Sequence, residues 1–258
     1  MLSLARGLSA IRAFREGGSQ LSVADVARLA GLSRASARRC LHTLSVLGYA
    51  TSTGGRYELT PAILTLGQAY LSTTSVARVA QPILERVSDE LHESSSVAVL
   101  DGEEIVYVAR AAARRILAIS LEVGSRLPAA CTSMGRVLLA SADADERARF
   151  LKRVKLPRYT ARTITDKTAL AAELDTVRTQ GFAIVDQELE LGLRSCAVPI
   201  ARRDGTVVAA LNVGAHAARA DAAALRRDVV PLLRKAAEEI GAALAAPREH
   251  REPAGRVV

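Results

Sequence analysis

Two sets of residues in this 258-residue chain have types and spacings suited to chemistry. In the first, Arg34, Ser36, Arg38, Arg39, His42 and Thr43 fall on one side of a helical repeat. Ala37, Cys40, Leu41, Leu44 and Leu47 fall on the other. Guanidinium and hydroxyl groups are donors that reach base edges and phosphates, so the polar side suits a nucleic acid. A solvated basic face on a small helical bundle is the plain alternative. The second set begins at Cys131-Thr132-Ser133-Met134-Gly135, which leads into a helix. Backbone N–H groups and hydroxyls at a helix N-terminus can face a carboxylate, although capping alone also accounts for Thr132 and Ser133. Ser195, Cys196, Asn212 and Gly214 interrupt apolar strands. A buried asparagine there needs a partner, whether ligand or backbone.

Catalytic readings of the same residues are weaker. Asp186, Glu188 and Glu190 could supply a general acid and base, but they precede Gly192 and read more simply as a solvated loop edge. Cys131 with His216 could form a nucleophile–base pair, but a lone cysteine is commonly an inert buried residue. No G-x-S-x-G, H-E-x-x-H or G-x-x-x-x-G-K run occurs. The four histidines (42, 92, 216, 250) are not at metal-ligand spacing. The expectation is a binding protein with no cofactor and no metal, and a small-molecule enzyme with a basic appendage is the alternative. A ligand-free architectural DNA binder is a third reading.

These residues need elements to hold them. Leu2, Leu4, Leu8, Ile11 and Phe14 give a first amphipathic helix ended by Gly17-Gly18. Ser22 with Asp25 forms a capping-box pattern that opens a second helix over Val23, Val26, Ala27 and Ala30. Gly31-Leu32 turns the chain, and Ser33 caps a third helix running to Leu47. A hairpin over 49–59, turning at Gly54-Gly55, supplies a wing, and Thr60-Pro61 starts another helix. Cap, turn, basic helix and wing in that order predict a winged helix-turn-helix over 1–61, followed by a linker helix over 62–75. Ser22, Ser33, Arg34, Ser36, Arg38, Arg39 and His42 are its candidate DNA-binding residues, with Arg6 and Arg56 for phosphates.

Beyond a helix at 76–92, strands are expected at 95–100, 104–110, 117–123, 182–186, 195–200 and 207–214. Helices are expected at 132–140, 143–151, 166–180 and 221–245. Two Asp-Gly hairpins and few β-α-β alternations indicate an α+β domain over 76–246 with a mainly antiparallel sheet. Residues 247–258 read as a polar tail.

Charge follows the same division. The net charge is +8 and the isoelectric point about 9.9. Residues 1–61 hold 8 arginines against 3 acids, a net +5, while the other 197 residues carry only +3. A small basic unit on a nearly neutral larger one suits a polyanion such as duplex DNA. Three widely spaced cysteines without C-x-x-C fit a reducing cytoplasm. Neither a secretory leader nor a membrane span is expected.

Longer stretches carry a resemblance. Ser3–Leu8, Gly31–Arg39, Leu47–Tyr49, Tyr57–Pro61, Leu66-Gly67, His92–Ser96, Leu100–Gly102, Ile105–Arg110, Arg126–Pro128, Cys131–Arg136, Glu188–Ser195 and Ala210–Val213 together resemble the IclR family of transcriptional regulators over nearly the whole chain. The likeness is strongest to the branch that controls the β-ketoadipate pathway and related aromatic-acid catabolism, the protocatechuate and 4-hydroxybenzoate regulators, which implies an aromatic acid or a β-ketoadipate-pathway metabolite as effector. The resemblance implies a GAF-like effector domain, homodimers or tetramers on a pseudo-palindromic operator, and a small carboxylate effector. It implies an effector site among Cys131–Gly135, Asp186–Glu190, Ser195, Cys196 and Asn212–Gly214, with Arg110, Arg126 or Arg194 neutralising the carboxylate. Ala130 stands where that branch commonly has a larger, often ring-bearing residue, and Gln68 where it commonly has an aromatic.

Overall fold

The structure, a computed structural model, describes residues 2–67, 75–113 and 121–244. The chain divides into two compact units, Met1–Thr74 and Ser75–Val258.

In the first unit, α1 (Leu2–Gly17), α2 (Val23–Leu29) and α3 (Arg34–Val46) surround a core of Ala10, Ala13, Phe14, Leu21, Val26, Ala27, Ala37 and Leu41. Ser22 accepts a hydrogen bond from the Asp25 backbone N–H, and Asp25 accepts one back from the Ser22 N–H, which closes the capping box. Gly31 takes φ +63°, a left-handed conformation that glycine adopts without a Cβ penalty, and so permits the turn into α3. Strands β2 (Ala50–Thr53) and β3 (Arg56–Leu59) form the wing. A short strand β1 (Leu21–Ser22) pairs with β3 on its other edge. Leu2, Leu4 and Leu8 do not enter this core, contrary to the helical stripe read from sequence: they are 68%, 63% and 46% exposed. The interior is filled from the C-terminal half of α1, by Ala10, Ala13 and Phe14. Leu47 is likewise exposed, just past the end of α3.

After Leu59 a 3-10 turn (Pro61–Ile63) leads into helical residues 64–67. The rest of the expected linker helix, Gln68 included, lies outside the described residues, as does the 247–258 tail.

The second unit is a three-layer arrangement. Its sheet contains β4 (Ser94–Asp101), β5 (Glu104–Ala111), β6 (Arg126–Pro128), β7 (Ala183–Asp186), β8 (Leu193–Ala201) and β9 (Val207–His216) in the order β6-β5-β4-β9-β8-β7. Every neighbouring pair is antiparallel. One face packs against α4 (Ser75–Leu91) and the C-terminal helix α9 (Val230–Leu244) through Leu84, Val97, Val198, Leu211, Val213 and Leu233. The other packs against α5 (Ser133–Ser141) and α7 (Lys167–Gln180) through Ala98, Met134, Val137, Leu170, Leu174 and Ala210. A shorter helix, α6 (Ala144–Arg153), adds Phe150 to this second core. Side chains of a strand alternate between faces, so Leu211 and Val213 enter the first core while Ala210, Asn212 and Gly214 face the second.

Two expected elements differ. Residues 121–123 form no strand, and 117–120 lie outside the described residues. Gly124 at φ +87° turns the chain, its N–H donating to the Tyr107 carbonyl at 2.8 Å, and the regular register with β5 starts at Arg126. The single expected helix over 221–245 is broken in the described residues. A helical turn, α8 (Ala222–Ala224), capped by Asp221, passes through a π-type turn (Leu225–Val229) into α9.

Candidate functional site

The first unit presents a basic face. Arg34, Arg38, Arg39, His42 and Thr43 are exposed on α3. Ser36 is not: it is buried, its N–H donating to Ser33 Oγ at 3.2 Å and its Oγ accepting from Ser33 Oγ at 3.0 Å. Ser36 therefore braces the start of α3 and is not placed to read a base. Its place on the exposed side is taken by Ala35, which sequence reasoning passed over. Ser22 and Ser33 are engaged as caps, so neither hydroxyl is free for a phosphate, and the Ser22 N–H is bound to Asp25 as well. Arg56 in the wing donates to the Gln20 carbonyl at 3.1 Å, so its guanidinium is held at the exposed turn end of the hairpin. Arg6 is half-buried on α1.

In the second unit, a cavity of about 290 Å³ opens between the sheet and the N-terminal end of α5. That is at the small end of ligand sites, roughly 300–1,000 Å³, and suits a molecule of one ring. Cys131, Thr132, Ser133 and Met134 form one wall, with Thr132 capping α5 by accepting from Gly135 N–H at 3.3 Å. The segment Glu188–Gly192 forms the opposite wall. The sheet supplies the floor: Arg110 of β5, Ser96 of β4, Asn212 and Gly214 of β9 and Ser195 of β8. Ser133 Oγ donates to Ser195 Oγ at 2.9 Å, tying the α5 wall to the floor.

The three candidate arginines separate cleanly. Arg126 donates to Glu104 at 2.6 Å and to Asp101 at 2.7 Å, outside the cavity lining. Arg194 is bound to Asp186 at 2.7 Å and to the carbonyls of Ala217 and Ala220. Both are structural ion pairs, and Asp186 leaves the candidate lining with Arg194. Its carboxyl is held below the usual range, first by the Arg194 hydrogen bond. Arg110 alone of the three lines the cavity, donating to Ser96 Oγ at 3.2 Å. It pairs with no carboxylate of the described residues, and burial draws its pKa down from the ordinary arginine value. A half-buried cation without a counter-charge is electrostatically unsatisfied.

Two further residues leave the lining for reasons of packing. Cys196 points to the opposite face of the sheet, into the core under α4 and α9. A Cβ on Gly135 would sit 2.2 Å from the Ala129 carbonyl oxygen, so its role is close approach of backbone, not ligand contact. Cys131 does line the cavity, but burial pushes its thiol up to about 11. It is un-ionised near neutral pH and a poor nucleophile. His216 also lines the cavity, at its exposed edge, and its Nδ1 accepts from the Ala218 N–H at 3.2 Å.

Sequence reasoning missed what holds the walls apart. Arg136 is 2% exposed, and its Nη2 reaches Glu188 at 2.7 Å while Nε donates to the Ala130 carbonyl at 3.1 Å. A looser contact to Glu173 at 3.6 Å adds α7. Glu188, read from sequence as a solvated edge, is instead a buried carboxylate that also accepts from the Ile164 N–H. The signal was the basic residue at the third position after Ser133, on a helix otherwise apolar, which needs a buried acid.

Comparison with known proteins then decides the family. The IclR helix-turn-helix domain matches residues 3–54, and the bacterial transcriptional regulator IclR C-terminal domain matches residues 68–242. This chain belongs to the IclR family of transcriptional regulators. The Pca regulon regulatory protein of Pseudomonas putida is 49% identical, over 93% of this chain and 83% of its own length. A putative transcriptional regulator of Rhodococcus has a crystal structure of TM-score 0.84 and 47% identity, covering 93% of this chain and 97% of that one. An IclR homologue from Microbacterium hydrocarbonoxydans, crystallised with 4-hydroxybenzoate, matches at TM-score 0.80 and 28% identity, covering 93% and 97%. The relatives are regulators, in line with a chain that is not an enzyme.

Proposed function

We propose that this IclR-family regulator senses a small aromatic acid of the protocatechuate or 4-hydroxybenzoate type and controls genes for its catabolism. The observation that carries this reading is Arg110, a half-buried guanidinium at a one-ring cavity with a hydroxyl neighbour and no carboxylate partner among the described residues. A ligand carboxylate supplies the missing charge. The Pca and 4-hydroxybenzoate associations of the relatives point to the same ligand class.

In this reading residues 1–61 bind the major groove through α3, with Arg34 and Arg38 at base edges and Arg6, Arg39 and Arg56 at phosphates. Residues 76–246 hold the effector and add further oligomer contacts. Exposed Leu2, Leu4 and Leu8 on α1 offer an apolar surface for a second copy. A homodimer then grips a pseudo-palindrome with half-sites about 10 base pairs apart or a multiple. It acts in the cytoplasm, and no helix of the described residues is long and apolar enough to cross a membrane.

Thermal unfolding of the full chain against protocatechuate, 4-hydroxybenzoate and β-ketoadipate tests the effector reading. At 100 times its dissociation constant a ligand adds about 2.7 kcal/mol of stability. A shift with one acid names the effector. No shift with either aromatic acid, or a shift with β-ketoadipate alone, overturns the aromatic-acid reading.

A further inference from the structure

Asn212 lies in the middle of β9 and is 8% exposed, yet its Oδ1 has no hydrogen-bond partner among the described residues. Buried polar atoms without partners are few in folded proteins, because leaving one unmade forfeits its hydration. This one lines the cavity. The sheet register fixes its neighbours. Asn212 stands opposite Ser96, and Ser96 stands opposite Arg110. With strands about 4.8 Å apart, Arg110 and Asn212 are separated by roughly 9.6 Å of backbone on one face. Only the short side chain of Ser96 lies between them. The floor beside this row is open too, since a Cβ on Gly214 would meet nothing closer than Leu193 at 3.8 Å.

The two ends of this row make opposite demands. Arg110 requires an anion. Asn212 Oδ1 can only accept, so it repels a carboxylate and requires a donor. A ligand that satisfies both carries its acid at one end and a hydroxyl at the other. A phenolic hydroxyl both donates and accepts, so it satisfies the Asn212 amide in either orientation. A para hydroxyl places the two groups at opposite ends of the ring, along the row. An ortho hydroxyl crowds both at the Arg110 end.

We propose that Asn212 is the residue that selects among aromatic acids: it accepts a hydrogen bond from a ring hydroxyl para to the carboxylate held by Arg110. The proposal rests on the effector reading above and adds to it the choice of hydroxylated over unsubstituted acid. Asn212 was noticeable in the sequence only as a polar residue within Ala209–Val213. The register and the missing partner give it a task.

The test is isothermal titration calorimetry on the full chain with 4-hydroxybenzoate, 2-hydroxybenzoate and benzoate. The wild type binds 4-hydroxybenzoate about 10- to 100-fold more tightly than either other acid. In Asn212→Leu the preference over benzoate falls to within about threefold, because the acceptor is gone. Asn212→Ala, which only removes atoms, gives the same collapse should the leucine variant not fold. Equal binding of 4-hydroxybenzoate and benzoate by the wild type overturns the assignment, as does a preference that survives both substitutions. Either result leaves the aromatic-acid cavity standing. Binding of none of the three acids by the wild type overturns the assignment, and a further failure to bind protocatechuate overturns the effector reading with it.

Discussion

At the scale of single residues, the distinction between paired and unpaired charge carries most of the account. Arg110→Gln removes the one cavity guanidinium that has no carboxylate partner among the described residues. Hydrogen bonds to charged groups contribute about 1.5–3 kcal/mol, so calorimetry on this variant should show effector affinity falling about 10- to 100-fold. Arg126→Gln, outside the cavity, should leave it unchanged. Asp186 makes a pH prediction. Its folded pKa is lowered, chiefly by Arg194, so its contribution to stability is present above the unfolded carboxyl value of 3.8 and is lost as pH falls through the folded one. Melting temperatures between about pH 5 and 2.5 should decline less steeply in Asp186→Asn than in the wild type. None of this sorting of arginines was legible in the sequence. Arg110, Arg126 and Arg194 each sit on a strand, and only the register shows that Glu104 and Asp101 lie beside one and Asp186 beside another.

At the scale of elements, Arg136 joins what would otherwise be separate walls. It connects the start of α5, the Glu188 segment and α7 through one buried guanidinium. Breaking a buried pair by removing one partner costs about 3–5 kcal/mol, because a charge is left without compensation. Arg136→Met should therefore destabilise the protein by that amount in urea unfolding, and adding Glu188→Leu should restore much of it. On the DNA side, Arg38 projects from α3 with no carboxylate partner among the described residues. If it meets a phosphate rather than a base, Arg38→Gln should weaken binding to all duplexes alike and lower the magnitude of the log K against log salt slope by about 0.9. If it reads a base, the loss should be confined to the specific site, which tests the assignment made above. The helices and wing of this unit were legible because caps and glycines mark their ends: Ser22, Asp25, Gly31 and Ser33 all act as their types suggest. The α1 leucines misled because a periodic apolar stripe does not say whether it meets its own core or another surface. The break before α9 misled because a π-type turn leaves no mark in apolar periodicity.

At the scale of the whole molecule, charge and fold divide in the same place. A basic winged helix-turn-helix occupies the first unit, and a nearly neutral three-layer domain with a one-ring cavity occupies the second. That division was visible in the arithmetic of residues 1–61, and the α+β class in the Asp-Gly hairpins. The sheet order was not, because β9 inserts between β4 and β8 from more than 100 residues away. It is this insertion that sets Asn212 beside Ser96 and makes a cavity floor from two hairpins distant in sequence, β4–β5 and β8–β9. A regulator built this way must let the cavity alter the grip on DNA, and a coupling of about 1–3 kcal/mol, or roughly 5- to 150-fold, is sufficient. The most direct test is the fluorescence anisotropy of a duplex from the chain's own upstream region, titrated with the full protein with and without saturating 4-hydroxybenzoate or protocatechuate. The account predicts tighter binding than to a scrambled duplex, and an affinity that one of these acids changes at least fivefold in the wild type but not in Arg110→Gln. Equal affinity for the scrambled duplex, or an affinity for the upstream region that neither acid moves, would contradict it.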